Sequence, residues 1–202
     1  MKKEQNAEKT KVRKLARTKE KVSQWTTNPL NEKVLDYHNY EMTKSESVLY
    51  FVAAFLVGGV VSQFFYGGLF QEDGVPTLLT YISNSAAFVI VGLLVGKVFL
   101  PVRSRQLAEK RRDTLRRQFR DMLESLTASL AANSTVRDAF SSAYTDMCMQ
   151  YSDDALISKE LDQFRRAEQI NVTLNVMMDD FAKRSGVEEI QDFNNVFQVC
   201  YG

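Results

Sequence analysis

One histidine, two cysteines and one tryptophan in 202 residues leave little for a metal or covalent active site. The histidine, His38, lies between Tyr37 and Tyr40 with no further ligand at metal-binding spacing, so a surface or packing role is expected. Cys148 and Cys200 belong to no CxxC or Cys/His cluster, which excludes a zinc knuckle or disulfide framework; both are expected to act as small buried apolar residues with reduced thiols. No Gly-rich phosphate loop and no nucleophile beside a base occurs. The acidic pairs Asp153/Asp154, Asp179/Asp180 and Glu188/Glu189 fall within or at the start of expected helices. Neighbours there point about 100° apart, which suits solvated faces or helix N-termini better than acid/base pairs. The sequence therefore argues against an enzyme and calls for no cofactor.

Charge is the other scarcity. Between Ser47 and Gly96 only Glu72 and Asp73 are charged. The uncharged runs 47–71 and 75–96 each exceed the roughly 20 residues that a helix needs to cross a ~30 Å hydrocarbon core. Gly67, Gly68, Gly74 and Pro76 bracket the acidic pair and predict a turn between two membrane helices, over about 48–68 and 77–99. No Lys or Arg lies between Lys44 and Lys97, so the positive-inside rule places both ends in the cytoplasm and the turn outside. Tyr50 and Phe51 fall at the inner boundary, and Phe64, Phe65, Tyr66 and Tyr81 at the outer one. Gly58, Gly59, Gly92 and Gly96 offer small surfaces for close helix packing, within one hairpin rather than between copies. Gln63 and Asn84 are expected to hydrogen-bond between the helices, and the absence of charge argues against an ion path.

Net charge is +1, but it is segmented: residues 1–24 carry +6, residues 97–120 carry +7 and residues 121–202 carry −8. The first segment reads as a solvated basic tail, with a lipid-bound helix as the sharper alternative. Asn28-Pro29 marks a turn, and a helix over 30–50 is expected to lead into the bilayer. After Pro101 a basic helix leaves the membrane. Its Arg103, Arg105, Arg111, Arg112, Arg116 and Arg117 either hold anionic lipid headgroups or only fix topology. A membrane-tethered helix with no other basic surface is a poor footprint for nucleic acid.

From Phe119 onward the apolar residues recur every three to four positions. The spacing predicts five amphipathic helices, with faces Phe119/Met122/Leu123/Leu126/Leu130, Val136/Ala139/Phe140/Ala143/Tyr144/Met147, Leu156/Leu161/Phe164, Leu174/Met177/Met178/Phe181/Ala182 and Ile190/Phe193/Val196/Phe197/Cys200. Asn133, Asn171 and Gly186 are the expected breaks, Ser134 or Thr135 the cap of the second helix, and Ser152 the start of the third. The expected fold is all-α, in three parts: a basic segment 1–46 with a lead-in helix, a transmembrane hairpin 47–101, and a cytoplasmic antiparallel helical bundle 102–202.

The residues Arg112, Leu115, Gln118-Phe119-Arg120-Asp121, Leu123-Glu124-Ser125-Leu126, Ser129-Leu130 and Ala139-Phe140 form an ordered series. Glu160-Leu161, Phe181-Ala182, Arg184-Ser185 and Phe193 continue it. Together with Tyr37, Tyr40, Glu46 and the hairpin, the series resembles the F domain of type II secretion and type IV pilus platform proteins, nearest the tight-adherence (Flp) branch. The resemblance implies a multi-pass inner-membrane protein of a prokaryote, anchoring an assembly machine and coupling a separate cytoplasmic ATPase to movement of pilin or pseudopilin subunits, with other platform subunits or further copies as neighbours. Asn133 and Asn171 stand where that family often has Gly, and Asn tolerates the same backbone. The Gly-rich turn and final membrane helices of the family do not follow the fifth helix, so the chain is expected to be an N-terminal piece of a longer one. Glu160, Asp179, Asp180 and Arg184 are the candidates for docking the ATPase, unless they pair within the domain. The alternative function is a membrane-anchored adaptor or sensor for an unrelated cytoplasmic partner.

Overall fold

The computed structural model describes residues 23–66, 71–72, 75–76 and 78–201. The basic tail 1–22 and the turn residues Gly67, Gly68, Asp73 and Gly74 lie outside these. The described chain is mostly helical. Its elements in order are β1 (Trp25–Thr27), β2 (Lys33–Leu35), α1 (Lys44–Tyr66), β3 (Gln71–Glu72), β4 (Val75–Pro76), α2 (Leu78–Ala131), α3 (Val136–Tyr151), α4 (Leu156–Gln169), α5 (Leu174–Ser185) and α6 (Glu188–Tyr201). They fall into two compact units: one joins the described residues up to Glu41 with Arg112 onward, and the other is Met42–Arg111.

In the Met42–Arg111 unit, Thr43 precedes α1 and Glu46 reaches back to its N–H at 3.0 Å, half of a capping box. Both α1 and α2 contain apolar stretches long enough to cross a membrane. Short antiparallel pairing of β3 with β4, Gln71 opposite Pro76 and Glu72 opposite Val75, reverses the chain between them. The helices touch at their glycines. A Cβ on Gly96 would meet the Phe51 ring, one on Gly92 the Phe55 ring and carbonyl, one on Gly58 the Val95 side chain, and one on Gly59 the Phe88 ring. All four small residues therefore face the other helix of the same chain. Phe55 and Phe88 add an edge-to-face contact at 5.6 Å. Gln63 instead is exposed.

α2 does not end near residue 99. It continues as one helix of 54 residues through Pro101, correcting the expected separation of a membrane helix from a basic cytoplasmic one. Proline removes one backbone donor and crowds the preceding turn, a cost that flanking helical residues can absorb when they favour the helix strongly. From Arg103 to Ala131 the chain is rich in Arg and Leu, both strong helix formers.

The other unit is built on one hydrophobic core, shared by the α2 residues Leu115, Phe119, Met122 and Leu126, by α3 to α6, and by Tyr37. The helical phases agree with the spacing for α3, α4 and α5, whose Ala139, Phe140, Ala143, Met147, Leu161, Phe164, Met177, Met178, Phe181 and Ala182 are buried. Phe140 stacks on Phe164 at 5.5 Å, and Phe119 meets Phe193 edge-on at 5.7 Å. Asn133 and Asn171 adopt left-handed φ of 61° after α2 and α4, and Gly186 does the same after α5. Thr135 caps α3 by accepting from the Asp138 N–H at 3.2 Å.

Four expectations change here. Ser152 closes α3 rather than opening α4, and α4 begins at Leu156 without a side-chain cap. Leu130, Val196 and Cys200 are exposed, and Cys148 is half-buried, so neither cysteine is a fully buried apolar residue. The helix expected over 30–50 forms only from Lys44, as the start of α1: residues 24–37 are an antiparallel ribbon, Trp25 opposite Leu35 and Thr27 opposite Lys33. Finally, residues 23–41 share a compact unit with Arg112 onward rather than with residues 42–46, with which the expected basic segment grouped them.

Candidate functional site

The ribbon begins with a local device. Asn28 Oδ1 accepts from the N–H groups of Leu30 and Glu32 at 3.0 and 2.8 Å, and Asn31 sits at φ 60°, so the chain turns tightly after Thr27. Beyond the turn its side chains reach α4 and α5. Asn28 Nδ2 donates to Gln163 Oε1 at 3.1 Å, Glu32 pairs with Arg166 at 3.0 Å, and His38 Nε2 lies 3.0 Å from the Lys183 carbonyl. Residues 24–41 thus form a strap bound across the domain.

The strap closes over a buried charge cluster. Glu160 on α4 and Arg184 on α5 are 2% and 6% exposed. Arg184 Nη1 and Nη2 donate to the two Glu160 carboxylate oxygens at 3.1 and 2.8 Å, in fork-to-fork geometry. Arg184 Nε donates to Asp180 at 2.7 Å, and Nη1 also donates to the Leu35 carbonyl at 2.9 Å. The Tyr37 hydroxyl donates to Glu160 Oε1 at 2.9 Å, while the Tyr37 N–H donates to the Arg184 carbonyl at 3.0 Å. Burial by itself opposes the Arg184 charge; hydrogen bonds and attraction to Glu160 and Asp180 outweigh it and raise the pKa above the ordinary guanidinium value.

Two of the four docking candidates are consumed by this arrangement. Glu160 and Arg184 satisfy one another inside the fold and present no docking face, because their polar atoms are used and shielded from solvent. Asp180 is mostly buried beside Arg184, and the more exposed Asp179 pairs with Lys183 one turn on at 2.5 Å. Of the six arginines, Arg116 bonds Asp113 and Glu189 at 2.8 and 2.9 Å, and Arg112 lies against the position a Gly186 Cβ would take. Arg103 lies over the Tyr50 ring at 5.2 Å.

The chain matches no protein-family model, no curated protein and no solved structure.

Beside the charge cluster a cleft of about 510 Å³ opens between the strap and α3–α4. Trp25, Leu35, Tyr144 and Leu156 supply apolar walls, and Lys33, Lys159 and Asp153 lie at its edge. The nearest thiol is not primed for attack. Burial first, then Asp153, push the Cys148 pKa up and so reduce its thiolate fraction. Among the described residues no three His, Cys, Asp or Glu side chains gather to hold a metal. What the arrangement can do is clamp and present surfaces. The ribbon and the bond from Tyr37 to Glu160 were not legible in the sequence because the partners lie more than a hundred positions apart; the signals were the Asn-Pro turn and the place of Tyr37 in the resemblance.

Proposed function

We propose that this protein is an inner-membrane platform component of a type II secretion or tight-adherence pilus machine. In this reading α1 and the first part of α2 form a transmembrane hairpin with both chain ends cytoplasmic. The helical unit is a cytoplasmic bundle to which a separate assembly ATPase docks, and its movement is passed to pilin or pseudopilin subunits. One observation carries the reading: the scattered residues of the resemblance converge. Tyr37, Phe119, Phe140, Glu160, Phe181 and Arg184 span almost 150 positions and belong to one core and its buried ion cluster. They are therefore suited to be the signature of a fold rather than of an exposed binding face.

The membrane part draws support from exposure. Only 22% and 11% of the apolar windows of α1 and α2 are buried, the reverse of a core helix in a water-filled surrounding. The basic flank Lys97–Arg120 favours a cytoplasmic position for the residues that follow. The −8 charge beyond Arg120 favours a basic docking surface on the ATPase, through exposed acids such as Asp154 and Glu188 and the half-buried Asp179 rather than through Glu160.

The test is co-purification of the full chain, in detergent, with a secretion or pilus assembly ATPase from the same cells, at low and high salt. Binding that weakens with salt is expected; no binding at either salt overturns the ATPase coupling. The cleft beside Tyr37 favours a second reading, a membrane-anchored helical adaptor for an unrelated cytoplasmic partner. Retention of a partner other than the ATPase, lost on substituting Trp25 or Tyr144, would select it.

A further inference from the structure

One side of α2, flanking its contact with α1 at Val95, carries an apolar groove of about 360 Å³, lined by Leu94, Val95, Val98, Phe99 and Val102. These positions repeat every three to four residues along one side of the helix, and over ~1.5 Å per residue they span about 12 Å. That is most of the ~15 Å depth of one bilayer leaflet. One turn further on the same side, the chain changes character. Arg105 and Gln106 follow Val102 by three and four residues, and Arg103 Nη1 bonds Gln106 Oε1 at 3.2 Å, bringing a second guanidinium toward that side. The Tyr50 ring supports Arg103 from α1. Neither Arg103 nor Arg105 has an acidic partner among the described residues, whereas Arg116 has two. Glu109, a further turn along the same face, would repel an anion, and so limits the favourable position to the level of Arg105.

We propose that this face is a specific phospholipid site: an acyl chain lies along Leu94, Val98 and Val102, and an anionic phosphate headgroup is held by Arg105, Gln106 and Arg103. The inference rests on the membrane reading given above. It selects one lipid class and two of the six basic residues, where a diffuse basic surface would use them all. Guanidinium groups bind phosphate oxygens through paired N–H donors, and a chain seated immediately below fixes the headgroup in register.

The test uses the full chain, reconstituted in neutral phosphatidylcholine nanodiscs with a trace of phosphatidylglycerol, and reads the phospholipid retained after delipidation by native mass spectrometry. Retention of phosphatidylglycerol over phosphatidylcholine by tenfold or more is expected, as two cations near a surface provide. Inorganic phosphate in place of the lipid should not compete, because it lacks the chain. Arg103→Gln with Arg105→Gln should abolish the preference, and Val98→Trp should reduce it with the headgroup arginines intact. Arg117→Gln with Arg120→Gln, which removes equal charge, should leave it within twofold. Equal losses from both arginine pairs, absence of a preference in the wild type, or a second copy captured by cross-linking through Val98→Cys would each overturn the site. Failure to enter the nanodisc at all would instead overturn the membrane reading and the site with it. Circular dichroism of each variant separates misfolding from lost binding.

Discussion

Arg184 holds both carboxylate oxygens of Glu160 from 24 residues away, at 3.1 and 2.8 Å, in a pocket that excludes water. Breaking one side of such a pair leaves a buried charge uncompensated and costs about 3–5 kcal/mol. Glu160→Gln or Arg184→Met alone should therefore lower the denaturant midpoint sharply. The double variant Glu160→Met with Arg184→Met should cost less than the two added together, and a double-mutant cycle on the detergent-solubilised chain measures the coupling. Additive losses would mean that the pair does not act as a unit.

Tyr37 ties the strap to that pair. Tyr37→Phe keeps the ring in the core and removes one hydrogen bond to a charged group, a loss of about 1.5–3 kcal/mol. Limited proteolysis should then cut faster between Trp25 and Leu35, while cleavage within α4 and α5 stays near the wild-type rate. Unchanged cleavage in the ribbon would show that the backbone bond from Tyr37 to Arg184 suffices.

Left-handed backbone at Asn133 and Asn171 is tolerated but strained relative to glycine. Asn171→Gly should be neutral or stabilising by up to about 1 kcal/mol, and Asn171→Ala should cost about 1–2 kcal/mol. Thermal unfolding of the three chains in one detergent decides the order.

Gly92 faces a backbone atom, the Phe55 carbonyl, 2.9 Å from where a Cβ would stand. Since a carbonyl cannot rotate away, Gly92→Ala should separate α1 from α2 at a cost of about 1–3 kcal/mol, typical of overpacking. Disulfide trapping between Gly58→Cys and Val95→Cys, whose Cβ positions lie 2.9 Å apart across the two helices, should slow in the variant. Equal trapping would show that the contact gives way cheaply.

Glu168 is a carboxyl whose charge the fold disfavours. Burial raises its pKa, and Arg137, with Nε 3.2 Å from Oε1 but off the hydrogen-bond direction, offsets this only in part. A carboxyl with a raised folded pKa binds more protons folded than unfolded, so its ionisation costs stability above that folded pKa. Glu168→Gln should raise the melting midpoint at pH 7. The gain should fade as pH falls through the raised pKa and vanish below the ordinary glutamate value of about 4.3. A gain that persists at pH 3.5 would point to packing instead.

The amino-acid order alone determined the two uncharged runs, the phases of α3 to α5 and the left-handed breaks at Asn133, Asn171 and Gly186. These are local properties: hydropathy over twenty residues, a repeat of 3.6, and a backbone conformation that few residues accept. Only the tertiary structure decided that α2 runs through Pro101, that Val196 and Cys200 face outward, and that residues 24–37 form a ribbon rather than a helix. In each case the deciding partner is distant or the local signals compete. Val34 and Tyr37 would fit either a helix or a strand, and what selects the ribbon is Tyr37 reaching Glu160 and Leu35 reaching Arg184, across 123 and 149 positions. The same distance explains the docking candidates. A glutamate and an arginine read singly look like surface charges, and only the packing of α4 against α5 turns them into a buried pair.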